Sequence, residues 1–293
     1  MAQPHQARGD FALGNRRGPH VDASVTNHDS RATNHDSRIA RASSFVYLSS
    51  LVVIAFMSIA ENISLVRERI LAASHRSGRG HQEITLIAVT KTFAAPQISA
   101  AYDAGLRIFG ENKVQEFAGK IQNLRDLDAE WHMIGHLQSN KAAKAAELFS
   151  HIDSVDSLRV AQRLNAAAGE LDKKLHVLIE INIGGESVKS GLPADSSELQ
   201  DLLVAAPDLP SLQIEGLMTV PPYNEDPELS RPYFRKMRAL FEEVDRRKLP
   251  ALAMKTLSMG MSHDFEIAIE EGATCVRIGT AIFGERPVAR SKN

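Results

Sequence analysis

The sequence predicts an α/β protein: a single (β/α)8 TIM barrel preceded by a disordered extension. Three observations lead there. From Met57 onward, strand-like apolar runs alternate with helix-like segments eight times in about 210 residues, the pattern of one closed barrel. The runs are close to continuously apolar, as in parallel sheets whose faces are covered. No glycine-rich dinucleotide fingerprint follows the first run; Thr90-Lys91-Thr92-Phe93 stands there, which makes a doubly wound open sheet the runner-up.

Each element has its own signal. Residues 59–75 read as a helix with Ile59, Ile63, Val66, Ile70 and Leu71 on one side. In the run Ile84-Thr85-Leu86-Ile87-Ala88-Val89-Thr90-Lys91, five of the first six residues are apolar, so 84–90 is the first strand. Pro96 opens a helix over 96–104 and Gly105 closes it. The alternation continues with strand 107–110, helix 114–124, strand 131–135, helix 140–149, strand 151–155 and helix 156–168. Strand 175–183, helix 196–205, strand 212–219 and the long helix 229–247 follow. Strand 256–259, helix 263–271 and strand 275–279 complete the series.

Residues 1–56 belong to a different regime. Up to about Arg41 there is no helical or strand period, and Thr26–Ala32 is repeated at once in Thr33–Arg38. His5, His20, His28 and His35 are scattered there without a fixed ligand spacing, so a disordered tail is the preferred reading over a metal site. The apolar stretch Phe45–Phe56 is too short for a bilayer span, which takes about 20 residues. No convincing cleavage site follows it, as a signal peptide would require. Met57-Ser58-Ile59-Ala60-Glu61-Asn62 looks like an ordinary protein start. The expectation is therefore an extension over 1–56, with Met57 as an alternative start, and a barrel domain over 57–293.

Composition narrows the function. Hydrophobic residues make up 43% and charged residues 24%, which suits a packed soluble domain. A net charge of -2 offers no basic excess for nucleic acid or an anionic membrane. Cys275 is the single cysteine, which excludes a disulfide framework and a cysteine-rich metal centre and fits a cytoplasmic setting.

In a barrel, the active groups gather at the C-terminal ends of the strands, and phosphate is often held after strands seven and eight. Lys91 ends strand one. A lysine at such a lip is either solvated or, in a desolvating pocket, a usable amine for a Schiff base. After strand seven comes Ser258-Met259-Gly260-Met261-Ser262, then His263, where a helix start predicts an N-cap at Ser262 or a phosphate contact. After strand eight comes Gly279-Thr280, a second tight turn into a helix start. Arg277 shares a strand face with Gly279, so it either points inward to a partner or ligand or snorkels outward. An amine beside a phosphate cradle suits a phosphorylated aldehyde, and pyridoxal phosphate is one. Arg277 at its ring nitrogen would leave the pyridine unprotonated and a weaker electron sink.

Other strand ends carry Asn112, His136, Lys141, Glu180, Asn182, Met218 and Thr219, with plain structural readings as caps, loop charges or core residues. His132 reads equally as a satisfied core histidine or a functional one. The pair His132 and His136 is poor support for a metal, because no carboxylate accompanies that spacing.

Several stretches together resemble the family of pyridoxal phosphate homeostasis proteins. They are Ala88-Val89-Thr90-Lys91-Thr92, Phe109-Gly110-Glu111-Asn112, Trp131 through Lys141, Gly216-Leu217-Met218, Leu257 through Ser262, and Val276 through Gly284. The resemblance covers about residues 57–287 and leaves residues 1–56 without a counterpart. It implies a barrel like the N-terminal domain of alanine racemase, with pyridoxal 5'-phosphate as cofactor in a Schiff base on Lys91. It implies phosphate contacts from Ser258, Ser262, Gly279 and Thr280, with Arg277 near the pyridine nitrogen and Asn112 and Met218 lining the pocket. Residues 189–193 also match, without a role. The function implied is intracellular homeostasis of the cofactor, as carrier or regulator, with no robust turnover and with apo-enzymes that need the cofactor as partners.

Racemisation in this barrel class needs an opposing acid or base from a second domain, and the sequence ends at Asn293, soon after the last motif. A weak amino-acid racemase is the alternative, and a barrel for another phosphorylated metabolite a third reading. A monomer is expected.

Overall fold

The computed structural model describes residues 57–186 and 190–285, all within one compact unit, Ala55–Asn293. The expected extension over 1–56, and Lys189 of the 189–193 match, lie outside the described residues.

The chain starts with α1 (Ile59–Arg76), and a capping box explains where. Ser58 Oγ accepts from the Glu61 amide at 3.2 Å, while the Ser58 amide donates to Glu61 Oε2 at 2.7 Å. The buried stripe of α1 is Ile63, Val66, Ile70 and Ala73. Leu71 was expected on that face but is 37% exposed, because it stands one residue, about 100°, off the stripe.

Eight parallel strands follow, with helices between them: β1 (Thr85–Val89), α2 (Ala95–Asp103), β2 (Ile108–Glu111), α3 (Val114–Lys120), β3 (Glu130–Met133) and α4 (Ala142–Leu148). Next come β4 (His151–Val155), α5 (Leu158–Glu170), β5 (Leu175–Asn182), α6 (Ser197–Val204), β6 (Leu212–Thr219) and α7 (Arg231–Arg246). β7 (Leu252–Met261), α8 (Phe265–Glu270), β8 (Cys275–Ile278) and α9 (Thr280–Phe283) complete the fold. β1 pairs with both β2 and β8, and β4 pairs with β5, so the sheet closes into the predicted (β/α)8 barrel. The open doubly wound sheet is thereby ruled out. Leu192–Pro193 adds a two-residue strand beside β5.

Strand alternation sorts the side chains into two cores. Ala88, Phe109, Trp131, Ile152, Val177, Leu217, Leu257, Val276 and Ile278 face the helices and join the main apolar core. Phe117 of α3 sits 4.7 Å from Trp131 and 4.8 Å from Phe149, ring centre to ring centre. The opposite parity fills the barrel, and it is polar for an interior: His132, Asp153, Glu180, Ser258 and Arg277 are all buried there.

Two glycines permit close approaches. Gly260 has φ +91°, and a Cβ there would stand 2.5 Å from the Ala268 Cβ, so its absence lets α8 seat on β7. A Cβ on Gly216 would overlap the Thr256 carbonyl where the β6–β7 register shifts.

Some boundaries differ from expectation. β7 runs from Leu252, not 256. Ala251 to Met254 carries weak strand propensity, but pairing of Leu252 with Ile214 overrides it. The predicted helix 229–247 begins at Arg231, after a short 3-10 turn over Pro227–Ser230. Asp264 holds the N-cap position of the helix after β7, so Ser262 does not; its side chain makes no cap bond and instead accepts the Met261 amide at 2.8 Å.

Candidate cofactor site at the barrel mouth

The C-terminal strand ends bring the predicted residues to one rim. Lys91 lies two residues past Val89, half-buried, in a loop that is held from below. Thr92 has φ +68°, a conformation a β-branched residue rarely adopts, and such outliers cluster at functional sites. Its amide donates to Glu116 Oε1 at 2.6 Å. Lys120 Nζ, from the same helix, donates to the carbonyls of Thr90 at 3.0 Å and Phe93 at 3.2 Å. The same ammonium is 2.7 Å from Glu111, which also accepts from Thr90 Oγ1 at 2.5 Å. Burial pushes the Glu111 carboxyl up, against the opposing pull of Lys120 and Thr90. α3 thus clamps both sides of Lys91. The motif Phe109-Gly110-Glu111-Asn112 was visible in the sequence, but nothing local signalled that Glu116 and Lys120 reach this loop.

Arg277 points inward and is 3% exposed. Its Nη1 donates to Ser258 Oγ at 2.7 Å and its Nη2 to the Thr219 carbonyl at 2.8 Å. Burial pulls its pKa down, opposed by Cys275, Asp153, Glu180 and Asp264. Ser258 is fully buried, so its hydroxyl serves Arg277. Met218 is fully buried and paired in register with Glu180 and Ser258.

Ser262 Oγ accepts from the amides of Gly279 and Ala281, both at 3.3 Å, and so ties the β7 loop to the β8 loop. A Cβ on Gly279 would lie 3.3 Å from the Val89 carbonyl, which places this turn directly against the end of β1. Thr280 is exposed beside it. Asn112 follows β2, and its Oδ1 is buried without a hydrogen-bond partner among the described residues. Asn112, His136, Gln138 and Lys141 line one cavity of about 230 Å³ after β2 and β3. The site residues therefore fit a phosphorylated aldehyde: an amine, a glycine-built turn that a side chain would fill, a buried cation and an orphaned acceptor.

Known proteins resemble this chain in sequence and fold. The alanine racemase N-terminal domain model matches residues 58–287. A pyridoxal phosphate homeostasis protein of Aquifex aeolicus is 46% identical over 230 residues, covering 78% of this chain and 99% of the relative. The chain belongs to the pyridoxal phosphate homeostasis protein family.

A family member from Escherichia coli K12 is 45% identical over 235 residues, covering 79% of this chain and 98% of its own. Among solved structures, PipY of Synechococcus elongatus with pyridoxal phosphate bound matches with a TM-score of 0.68 and 37% identity, covering 78% of this chain and all of that one. Alanine racemase of Clostridium difficile shares the fold alone, with a TM-score of 0.59 and 16% identity over 58% of its length.

In this homeostasis-family barrel, Glu180 is a residue to which the sequence assigned no role. It is 8% exposed, its Oε2 has no hydrogen-bond partner among the described residues, and burial raises its pKa to about 7, helped by Asp156 and opposed by Arg277 and His136. His132 is buried and faces the N-terminal half of the barrel, while exposed His136 pairs with Asp156 at 2.8 Å. The two histidines line different cavities. Burial raises the Cys275 thiol to about 12, which leaves it unreactive.

Proposed function

We propose that this protein binds pyridoxal 5'-phosphate at the C-terminal mouth and serves its homeostasis in the cell, as a carrier or regulator without robust turnover. One observation carries the reading: the loop that bears Lys91 is held by Glu116 and Lys120, and the Gly279 turn that Ser262 ties lies against the end of the same strand, β1. When bound, the cofactor supplies an aldehyde that condenses reversibly with an amine, and a ring that delocalises charge. Lys91 contributes the amine. Ser262, Gly279 and Thr280 hold the phosphate; Asn112 and Met218 line the pocket. Arg277 would meet the ring nitrogen, and Ser258, expected at the phosphate, holds Arg277 through its hydroxyl.

The homeostasis role of the relatives supports the reading, as does the structure of PipY with pyridoxal phosphate bound. A guanidinium held on Ser258 and Thr219 cannot protonate a pyridine as a carboxylic acid would, which favours retention over carbanion chemistry. Among the described residues no helix is long and apolar enough to cross a membrane. A cytoplasmic monomer that hands the cofactor to apo-enzymes is the expected working form.

A spectral titration with pyridoxal phosphate tests the reading. Wild type turns yellow, and borohydride fixes the label on Lys91; Lys91→Ala gives no such band. Ser262→Ala weakens retention. A wild-type protein that stays colourless sinks the proposal. Amino-acid racemisation at ordinary enzyme rates, lost in Lys91→Ala, would replace it with the racemase reading.

A further inference from the structure

The N-terminal end of the barrel holds a second polar site, remote from the rim that carries Lys91. His132, His151 and His176 are partners in register across β3, β4 and β5. Their rings stack, with centroids 4.0 Å apart for the first pair and 4.6 Å for the second. Together with Glu130, Asp153 and Glu215 they line a cavity of about 140 Å³. Inward-facing histidines in three adjacent strands are a costly filling for a barrel usually packed with branched apolar residues.

His132 is the decisive group. Its Nδ1 lies 3.1 Å from both carboxylate oxygens of Asp153. In the neutral ring this bond holds the proton on Nδ1 and leaves Nε2 as a bare lone pair. That Nε2 is buried and has no hydrogen-bond partner among the described residues, and His132 as a whole is only 8% exposed. Glu130 Oε2 stands 4.0 Å from it, on a side chain that is 58% exposed and so able to turn. One donor atom from each of Glu130, His132 and His151 lies within 4.8 Å of the others.

We propose that Glu130, His132 and His151 bind a divalent first-row transition ion at the N-terminal mouth, with Asp153 orienting His132 from behind. Two imidazoles and one carboxylate form a set that zinc accepts in three-ligand sites, and a carboxylate on the far ring nitrogen is the usual outer partner. Zinc bonds of about 2.0–2.1 Å in a tetrahedron require donors roughly 3.3 Å apart. Meeting that need takes up to about 1.5 Å of closure, with Glu130 turning in and the His132 and His151 rings, stacked at 11°, rotating out of parallel so that their nitrogens converge. His176 and Glu215 stay outside the set, because Glu215 is already held by Gln213 at 2.6 Å and by His176 at 3.0 Å. The ion would fasten the starts of β3 and β4 and satisfy the orphaned His132 nitrogen.

The test uses the full chain, stripped with a chelator and carrying His5→Ala, His20→Ala, His28→Ala and His35→Ala, so that the N-terminal histidines contribute nothing. Zinc is titrated by equilibrium dialysis, and cobalt(II) serves as the spectroscopic probe. One equivalent of zinc, a visible cobalt band of tetrahedral intensity and a rise in Tm are expected. Asp153→Asn should weaken binding by about 10–100-fold. His151→Gln should abolish it. Glu130→Gln, at an exposed side chain that folding does not need, should weaken it at least about tenfold. Glu130→Gln should leave the pyridoxal phosphate titration unchanged, and Lys91→Ala should leave zinc uptake intact. Absence of a stoichiometric ion in the unsubstituted barrel would overturn the proposal. So would equal uptake by Glu130→Gln and wild type.

Discussion

Glu180 shows at the residue scale how the barrel interior tunes a single group. Buried, and with no hydrogen-bond partner for Oε2 among the described residues, it keeps its proton up to a pKa of about 7. The folded state therefore binds a proton that the unfolded chain has already released above its ordinary carboxyl range. Stability from this group is fully present below the unfolded value of about 4.5 and is lost as pH rises through about 7. Glu180→Gln cannot ionise, so it should gain on wild type by about 2–3 kcal/mol between about pH 5 and about pH 8. Urea unfolding at the two pH values reads this directly; parallel curves for the two proteins would refute it. Arg277 is the complementary case. Its inward face followed from alternation with Gly279, but its partners, Ser258 and the Thr219 carbonyl, come from β7 and β6 and are unreadable from its own strand.

At the scale of elements, α3 decides the geometry of the Lys91 loop. Lys120 and Glu116 reach across from it, and Lys120 neutralises fully buried Glu111. Lys120→Met would strand that carboxylate and should cost about 3–5 kcal/mol. It should also loosen the Thr90 and Phe93 carbonyls and weaken cofactor retention. Lys120→Met with Glu111→Gln removes the buried charge and should regain most of the stability but not the retention. Thermal melts alongside the spectral titration separate the two effects, and a single variant as stable as wild type would count against the clamp. Most elements were legible, because apolar runs and helical stripes are local signals: β4 and β6 have the predicted ends. β7 was not, since four of its residues become strand only through pairing with β6.

For the whole molecule, the family model matches residues 58–287, the barrel, and the curated relatives match over 230 and 235 residues. Their sequences are covered to 98% and 99%, while they cover 78% and 79% of this chain. The working proposal for residues 1–56 remains an extension that the cofactor site does not use. Deletion of residues 1–56 should leave both Tm and the pyridoxal phosphate titration unchanged. A colourless or unstable 57–293 protein would show that the extension takes part. Peptide mapping of the native protein would establish whether translation begins at Met1 or Met57.

By itself the sequence determined the eightfold alternation that predicts the barrel and put Lys91, Ser262, Arg277 and Gly279 at or near strand ends. Those follow from periodicity, strand ends and glycine positions, which are properties of neighbours along the chain. Tertiary structure alone decided which polar groups meet. Closure of the sheet put Lys120 on the Thr90 and Phe93 carbonyls that flank Lys91, brought Ser258 to Arg277, and aligned three histidines from separate strands in one row. The reason is register: a one-residue shift in pairing turns every side chain to the other face, and no local pattern encodes the partner strand.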